Sequence, residues 1–337
     1  SGQVGRRVDV DATLVFLSAQ LQSFRDVEVP LAVVESPPLI MDVSAQADIA
    51  RQILSAPLQL SLANVAAGDP GPWIFESSVV AGMLTVKRVD NGGQAEVRVG
   101  LESGAFAKLL IPVAVQVDQK SKNARFRFND TTRQLDLIEN STIGRTMDVP
   151  ATIAAVNDAL LRGEHSVTLV VKEEQPAVAG TATAESLGIR ELVSAQTSYF
   201  RGSNSERMTN IEIAAKRFDG IFVAPGATFS MGEIMGDVTL DNGFAEAWII
   251  YGGRTIKGVG GGVCQVSTTL FRTAFMAGFP IPERHSHAYR VSYYEQTISG
   301  RDPLLAGMDA TVYFPLVDFK FVNDTPYWQL METYFNP

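Results

Sequence analysis

The sequence predicts an α+β fold, in which a C-terminal domain with a mixed β-sheet follows one partial and one complete copy of a small α+β repeat. Three observations lead to this prediction. Hydrophobic residues make up 46% of the 337 residues and charged residues 19%, as in chains that bury a core. Segments with helical periodicity alternate with short segments of strand character. A group of residues near the N-terminus recurs once, further along the chain.

The recurring residues define the repeat. Each copy contains a Gly-Arg pair, an Asp-Val pair, an Ala-Thr pair, a leucine and a proline in the same order. In the first copy these residues are Gly5, Arg6, Asp9, Val10, Ala12, Thr13, Leu21 and Pro37. In the second copy they are Gly144, Arg145, Asp148, Val149, Ala151, Thr152, Leu160 and Pro176, at a constant offset of 139 residues (from 5 to 144). This offset is far longer than a solenoid period, so we interpret the pattern as two copies of a small domain.

Both copies are predicted to contain a helix followed by a strand. Apolar residues at three- and four-residue spacing indicate the helical faces, which are Leu14, Leu17, Leu21 and Phe24 in one copy and Ile153, Val156 and Leu160 in the other. Pro150 stands where a first helical turn tolerates proline. The strands are predicted at residues 27–34 and 167–171. The earlier part of the second copy is predicted to contain a helix at 46–54 and strands at 73–75, 95–101 and 124–128.

These patterns divide the chain into three predicted domains. Residues 1–40 form the C-terminal part of a first repeat, residues 41–180 a second, complete repeat, and residues 185–337 the C-terminal domain. Since the first copy is only partial, we expect it to pack on the complete repeat or on the C-terminal domain.

Charge and hydropathy exclude several classes of partner. The net charge is −9 and the chain has no basic run, so we expect no binding to nucleic acid or to an anionic membrane surface. No apolar run reaches the roughly 18 residues that span a membrane. The chain starts with Ser1-Gly2 and lacks a methionine there, so we expect an anchor or signal upstream and no membrane contact within this fragment. The single cysteine excludes an intrachain disulfide.

The single cysteine, Cys264, follows a glycine-rich segment that contains Gly258, Gly260, Gly261 and Gly262. A helix is predicted from about residue 264 to 277, with Gly278 as its stop. A thiol at a helix N-terminus is favoured as the nucleophilic thiolate. The backbone N–H groups of Gly261, Gly262 and Val263 are candidates for binding substrate or an oxyanion. A buried structural thiol is the alternative interpretation of Cys264.

Histidines and aspartates that could assist the thiol follow later in the sequence. His285 and His287 are candidate acid–base residues, and their spacing on a strand predicts that only one faces the site. Asp309 and Asp318 each begin a predicted strand, and either could orient the histidine, with Asp309 the selected candidate. Turn or strand-end positions are the alternative for both aspartates.

Three more polar residues are candidates for binding substrate. Arg284 could bind a carboxylate or pair with a surface acid. Ser267 and Thr268 lie in the first turn of the predicted helix, where their hydroxyls could contact substrate or bond to backbone. No strand-loop-helix dinucleotide signature and no phosphate-loop lysine is present, so no cofactor is predicted.

The ordered motifs resemble those of the VanW family over roughly residues 194–328. The motif residues are Ser203, Asn204, Arg207, Asn210, Ile211, Ala214, Ala215, Pro225, Gly226, Phe229, Ser230, Gly243, Phe244, the run from Gly260 to Leu270, the run from Glu283 to His287, the run from Asp309 to Val312 and the run from Asp318 to Phe321. The run Gly-Gly-Gly-Val-Cys-Gln-Val-Ser-Thr-Thr is the most specific of them. The upstream repeats resemble the peptidoglycan-binding domains that often precede a VanW domain. One departure is a long polar segment at residues 293–307, which is expected to form a loop over the site.

The resemblance implies an extracytoplasmic protein of the bacterial cell wall, related to vancomycin-resistance proteins. It implies an L,D-transpeptidase with Cys264 as nucleophile, no cofactor and no bound metal, and peptidoglycan stem peptides as substrates. The repeats would contact glycan. Two alternatives stay open. One is a non-catalytic module that binds a stem-peptide carboxylate. The other is a zinc-dependent peptidoglycan hydrolase or carboxypeptidase that uses Cys264, His285 and His287.

Overall fold

The computed structural model describes residues 2–26, 28–38, 40, 42–65, 68–91 and 94–337. It has the predicted α+β class, with small β-sheets and helices along the chain. The chain divides into two compact units, of which the first contains Ser1–Gln119 and Arg145–Glu173 and the second contains Lys120–Gly144 and Glu174–Pro337. Residues 120–144, which the sequence assigned to the second repeat, thus group with the C-terminal part of the chain. The three sequence-based domains stay a prediction.

Short strands supply the β-structure of both units. In chain order they are β1 (Gly5–Val8), β2 (Val33–Ser36), β3 (Leu58–Ser61), β4 (Trp73–Phe75), β5 (Leu84–Asn91), β6 (Gln94–Leu101), β7 (Arg125–Asn129), β8 (Gln134–Glu139), β9 (Gly144–Met147), β10 (Ser166–Thr168), β11 (Val171–Glu174), β12 (Ile221–Val223), β13 (Thr228–Ser230), β14 (Glu246–Tyr251), β15 (Arg254–Val259), β16 (Gln296–Thr297), β17 (Gly300–Arg301), β18 (Lys320–Val322) and β19 (Gln329–Met331).

The helices vary in length from one turn to four. They are α1 (Val10–Gln22), α2 (Ser44–Ile53), α3 (Ser77–Ala81), α4 (Ser103–Val117), α5 (Val149–Leu161), α6 (Ala184–Leu187), α7 (Ser205–Phe218), α8 (Met231–Met235) and α9 (Val263–Met276). Two 3₁₀ turns lie at Ser292–Glu295 and Pro303–Leu305. Among the described residues, no helix combines the length and the apolar character that crossing a membrane requires.

The first unit is built on a three-stranded sheet in which β3 pairs in parallel with β10 and antiparallel with β4. Helices α2, α4 and α5 supply apolar side chains to its core. Fully buried members of that core are Ile53, Leu58, Leu60, Val80, Phe106, Leu110, Val117, Val156 and Leu160. The sequence analysis did not predict α4, although its buried residues recur at helical spacing.

Helices α1 and α5 occupy equivalent positions at the 139-residue offset (10–22 and 149–161). Each begins after an aspartate, Asp9 or Asp148, whose carboxylate accepts a hydrogen bond from a first-turn alanine N–H. The two helices differ in burial, because α5 contributes buried side chains whereas no residue of α1 is buried. The expected packing of the partial copy stays a prediction. Residue 27 of the predicted 27–34 strand lies outside the described residues, and β2 begins only at Val33.

The second unit packs α7 and α9 against short antiparallel strand pairs: β12 with β19, β13 with β18, and β14 with β15. Phe218, Phe229, Phe271, Phe319 and Phe321 form the aromatic centre of its core. The hairpin β7–β8 belongs to this unit, where Phe126 packs its ring edge against Phe222. These elements leave the N-terminal end of α9 facing the chain segments that carry the predicted histidines and aspartates.

Candidate active site

The glycine-rich segment before α9 needs glycine for two physical reasons. Gly260 and Gly262 adopt left-handed φ angles of 86° and 123°, which other residues rarely tolerate. At Gly261 a Cβ would lie 2.5 Å from the carbonyl oxygen of Trp248. The buried Asn210 holds this segment in place, because its side-chain amide donates to the carbonyl oxygens of Gly261 and Ala245, both at 2.9 Å. The segment can therefore enter α9 in only one conformation.

Helix α9 begins at Val263, and Cys264 lies in its first turn, as predicted. The N–H of Val263 donates to the carbonyl oxygen of Gly260 at 3.0 Å, so it is occupied and not free for an oxyanion. The N–H of Cys264 itself lies in the first turn, where a helix offers no intrahelical acceptor. The helix ends at Met276, and Gly278 follows with a φ of 82°.

The thiol of Cys264 is partly buried against the segment around residue 311. Its Sγ lies 3.5 Å from Oγ1 of Thr311 and 3.8 Å from the carbonyl oxygen of Val312. The side chain of His287 also influences the ionisation of this thiol. Burial by itself raises the pKa of the thiol, but the interaction with His287 and the positive charge of that ring outweigh burial, so the pKa of Cys264 is lowered. Cys264 is therefore a thiol poised to ionise.

His287 connects the thiol to Asp309. Its Nδ1 lies 2.5 Å from Oδ2 of Asp309, and the same oxygen accepts the backbone N–H of His287 at 2.9 Å. Since Nδ1 faces the carboxylate, Nε2 is the ring nitrogen that remains for the thiol. Burial lowers the pKa of His287, but Asp309 and Cys264 outweigh it and raise that pKa to about 9. The arrangement favours a thiolate–imidazolium pair near neutral pH.

Asp309 is itself held in position by Arg284. The guanidinium Nε donates to the backbone oxygen of Asp309 at 2.7 Å, and Nη2 donates to the carbonyl oxygen of Gly307. Nη2 also lies 3.5 Å from Oδ1 of Asp309. Burial raises the pKa of Asp309, but bonding to His287 and the charge of Arg284 lower it overall. The structure thus commits Arg284 to Asp309 and its chain segment, rather than to the substrate carboxylate for which the sequence proposed it.

Ser267 and Thr268 are fully buried in the helix and bond to backbone. The hydroxyl of Ser267 donates to the carbonyl oxygen of Ala310 at 2.5 Å, and Oγ1 of Thr268 accepts the N–H of Ala310 at 3.2 Å. These bonds fasten residues 309–312 to α9, and thereby fix the distance between Asp309 and Cys264. Of the two interpretations drawn from sequence, the structure favours backbone bonding over contact with substrate.

Arg272 is a site residue that the sequence analysis missed. It lies eight positions after Cys264 on α9, and only 2% of it is exposed. Its Nε donates to the carbonyl oxygen of Met308 and its Nη2 to that of Tyr294, both at 2.7 Å. Burial lowers its pKa, and the negative charge of Asp309 opposes that shift. Arg272 therefore joins the helix to both chain segments that flank His287.

The polar segment at residues 293–307 packs beside His287. The ring of Tyr294 lies 5.2 Å from that of His287. Next to it, the buried Glu295 binds Arg290 and Arg301, each at 2.6 Å, and these two hydrogen bonds lower the pKa of Glu295 to about 2. A pocket of about 260 Å³ is lined by His287 and Asp309 together with residues from 289–295 and 305–307.

Two other candidates lie away from the thiol. The side chain of His285 is 50% exposed and faces Glu283. Asp318 bonds the hydroxyl of Ser230 at 2.6 Å and the N–H of Gly232 at 2.9 Å, so it anchors the start of α8. Within the described part of the chain, no three His, Cys, Asp or Glu residues are arranged to hold a metal ion. Cys264, His285 and His287 therefore do not form the zinc site considered from sequence.

Comparisons with known proteins place residues 206–337 in the family model described as VanW like protein. The uncharacterized protein YoaR of Bacillus subtilis is 41% identical over 125 residues, which is 37% of this chain and 38% of YoaR. The vancomycin B-type resistance protein VanW of Enterococcus faecalis is 29% identical over 119 residues, 35% of this chain and 42% of that protein. The matched segments thus span about two fifths of these relatives.

Two solved structures also match. One is a cysteine-to-serine mutant of the Enterococcus faecium L,D-transpeptidase, with a TM-score of 0.25 and 16% identity over 38% of this chain and 45% of that chain. The other is the avibactam carbamoyl form of the enzyme Ldtfm, with a TM-score of 0.26 and 15% identity over 39% of this chain and 46% of that chain. TM-scores of this size do not establish a shared fold.

Proposed function

The C-terminal part of this chain, residues 206–337, belongs to the VanW family, and on that premise we propose that the protein is an extracytoplasmic L,D-transpeptidase of the bacterial cell wall. Cys264 is the nucleophile, His287 the acid–base group and Asp309 the residue that orients His287. The observation that carries this proposal is the hydrogen bond between His287 and Asp309, next to a thiol whose pKa His287 lowers. The same order of thiol or hydroxyl, imidazole and carboxylate serves acyl transfer in unrelated folds.

In the proposed acylation, the thiolate of Cys264 attacks the carbonyl carbon of the third stem-peptide residue. A C–S bond forms, and the carbonyl oxygen becomes an oxyanion beside the first-turn N–H of Cys264. The intermediate then collapses, the C–N bond to the terminal D-alanine breaks, and imidazolium His287 gives its Nε2 proton to the leaving nitrogen. The products are free D-alanine and a thioester on Cys264.

Deacylation reverses the proton flow. An amine of a second stem peptide attacks the thioester, neutral His287 accepts its proton, the C–S bond breaks and the thiolate returns. Residues 1–40 and 41–180 complete the proposal as peptidoglycan-binding repeats that hold the enzyme near its substrate.

The test is the intact mass of the protein after incubation with a purified tetrapeptide muropeptide. The wild type is expected to gain the mass of the tripeptide acyl group and to release D-alanine. Cys264→Ala should do neither, because it lacks the sulfur that carries the acyl group. A folded wild type that forms no adduct and releases no D-alanine would refute the transpeptidase and would favour the non-catalytic binding module.

A further inference from the structure

Arg207 is a cation near the thiol that the proposed mechanism does not use. It lies in the first turn of α7, and its guanidinium has only neutral partners. Nη1 donates to the hydroxyl of Ser203 at 2.7 Å and Nη2 to Oε1 of Gln265 at 2.9 Å. The guanidinium carbon lies 4.9 Å from the centre of the Tyr293 ring. These contacts fix the plane of the guanidinium without neutralising its charge.

The other arginines around the site are neutralised or fully buried. Arg284 pairs with Asp309, while Arg290 and Arg301 share Glu295. For Arg207, no carboxylate of the described residues lies within ion-pair distance. A partly buried cation without an acid partner loses hydration that a bound anion could replace. A guanidinium has five N–H donors, so two bonds to protein leave donors for a carboxylate.

The position of Arg207 ties it to the proposed catalytic groups. A Cβ on Gly262 would lie 2.9 Å from the backbone oxygen of Arg207 and 3.1 Å from its Cγ, so the arginine runs beside the entry to α9. Its partner Gln265 directly follows Cys264. Tyr293, on which the Arg207 guanidinium stacks, packs its ring 4.6 Å from that of Tyr294. The ring of Tyr294 in turn packs on His287.

Electrostatics agree with this placement. Burial raises the pKa of Tyr294, and the negative charge of Cys264 adds to that rise, while the positive charge of Arg207 opposes it. Tyr294 therefore lies close enough to interact with both the thiolate and the guanidinium. Cys264 and Arg207 are thus two charged groups of opposite sign that act on one buried ring.

We propose that Arg207 binds the free C-terminal carboxylate of the acyl-donor peptide, next to the bond that Cys264 attacks. This inference rests on the proposed function. It deepens that function by naming the substrate class: peptides that end in a free carboxylate are donors, and peptides whose terminus is amidated or extended are poor donors. Arg207 thus has the role of binding a substrate carboxylate, for which the sequence analysis considered Arg284.

The test compares two alkylating reagents that differ in charge, iodoacetate and iodoacetamide, on Cys264. In the wild type the anionic iodoacetate should be favoured by Arg207. Arg207→Gln should slow iodoacetate by about tenfold, the size of a charge-assisted contact, and leave the iodoacetamide rate unchanged. Arg207→Lys should retain part of the preference. Arg201→Gln is the matched control, since Arg201 is an exposed arginine that also stacks on a tyrosine, Tyr199.

The outcomes separate the two proposals. If Cys264 of the folded wild type reacts with neither reagent, the nucleophile itself fails and the carboxylate site with it. If Arg207→Gln keeps the wild-type ratio of the two rates, only the carboxylate site is overturned. Should Arg207→Gln misfold, the wild type still decides: N-acetyl-D-alanine should slow alkylation by iodoacetamide, whereas its amide should not. Equal effects of the acid and the amide would contradict the proposal.

Discussion

At the scale of single residues, one carboxylate oxygen determines the geometry of the candidate site. Oδ2 of Asp309 accepts both the ring Nδ1 and the backbone N–H of His287, so the imidazole can neither rotate nor shift without losing a bond. A neutral imidazole held in this way keeps its proton on Nδ1 and offers Nε2 to the thiol. The contact with Asp309 therefore fixes the orientation of the His287 ring and also stabilises its positive charge.

Asp309→Asn should shift the ionisation of Cys264 to higher pH. In the wild type, the alkylation rate rises as the pH passes the lowered pKa of Cys264. Without the negative charge of Asp309 the pKa of His287 falls, its imidazolium supports the thiolate less, and the pKa of Cys264 moves up toward its ordinary value of 9.0. The midpoint of the iodoacetamide rate profile should rise by about one pH unit. Asp318→Asn, at an equally buried aspartate, should leave the midpoint unchanged.

The pair formed by Cys264 and His287 predicts different pH profiles for two reactions of the wild type. Acylation by a peptide needs the thiolate and the imidazolium, so its rate should fall as the pH rises through about 9, where His287 loses its proton. Alkylation needs only the thiolate and should not fall there. A peptide acylation rate that stays constant well above pH 9 would contradict the role of His287 as general acid.

Residue types explain what sequence could predict at this scale. Cys264, His287 and Asp309 were identifiable because a thiol, an imidazole and a carboxylate have few structural reasons to occur together. Arg284 contacts Asp309 in the structure, and this partner could not be predicted because the sequence does not show where an arginine side chain points. Arg272 was missed because charged residues are almost never fully buried, and only its place within an apolar helix distinguished it.

At the scale of elements, the entry to α9 is the most constrained part of the second unit. Gly261→Ala should destabilise the protein by about 1–3 kcal/mol or more, because the new Cβ would meet backbone that cannot move aside. The measurement is thermal unfolding together with the alkylation rate of Cys264, which should also fall. Gly258→Ala is the control. There the added Cβ meets only the flexible end of the Ile249 side chain, so the free energy of unfolding should change by less than about 1 kcal/mol. Equal losses in both variants would contradict this explanation.

Helices with clear end signals were predicted well. Pro150 stands in the first turn of α5, and Gly278 follows the end of α9, at the positions that the sequence predicted. The strands after His285 were predicted less well, because several are isolated backbone bridges such as that between His285 and Thr311. Their pairing depends on contacts with α9, which local sequence does not encode.

At the scale of the whole molecule, the hairpin β7–β8 shows how far sequence boundaries can differ from compact units. Phe126 is 2% exposed and packs with Phe222 and Trp328, two residues that lie far from it in the sequence. Phe126→Ala should cost about 3–5 kcal/mol of the stability of the second unit, as for other buried aromatic truncations. Leu137→Ala, at the cross-strand partner of Phe126, should cost far less because Leu137 is 50% exposed.

Chemical denaturation monitored by tryptophan fluorescence would measure both variants, since Trp328 lies in this cluster. If Phe126→Ala and Leu137→Ala unfold at the same denaturant concentration, the hairpin is not part of the cooperative second unit. The boundary at residues 180–185 was drawn from a change in composition, and composition does not reveal contacts between residues so far apart in the chain.

The path of the chain through its two units has a consequence for inheritance. The chain crosses between the units after residues 119, 144 and 173, so neither unit is one continuous stretch of the gene. A recombination event that replaced everything before residue 174 would preserve Cys264, His287 and Asp309. It would also remove the strand that covers Phe222 and Trp328. Within this lineage the hairpin and the catalytic segment should therefore have been exchanged together or not at all.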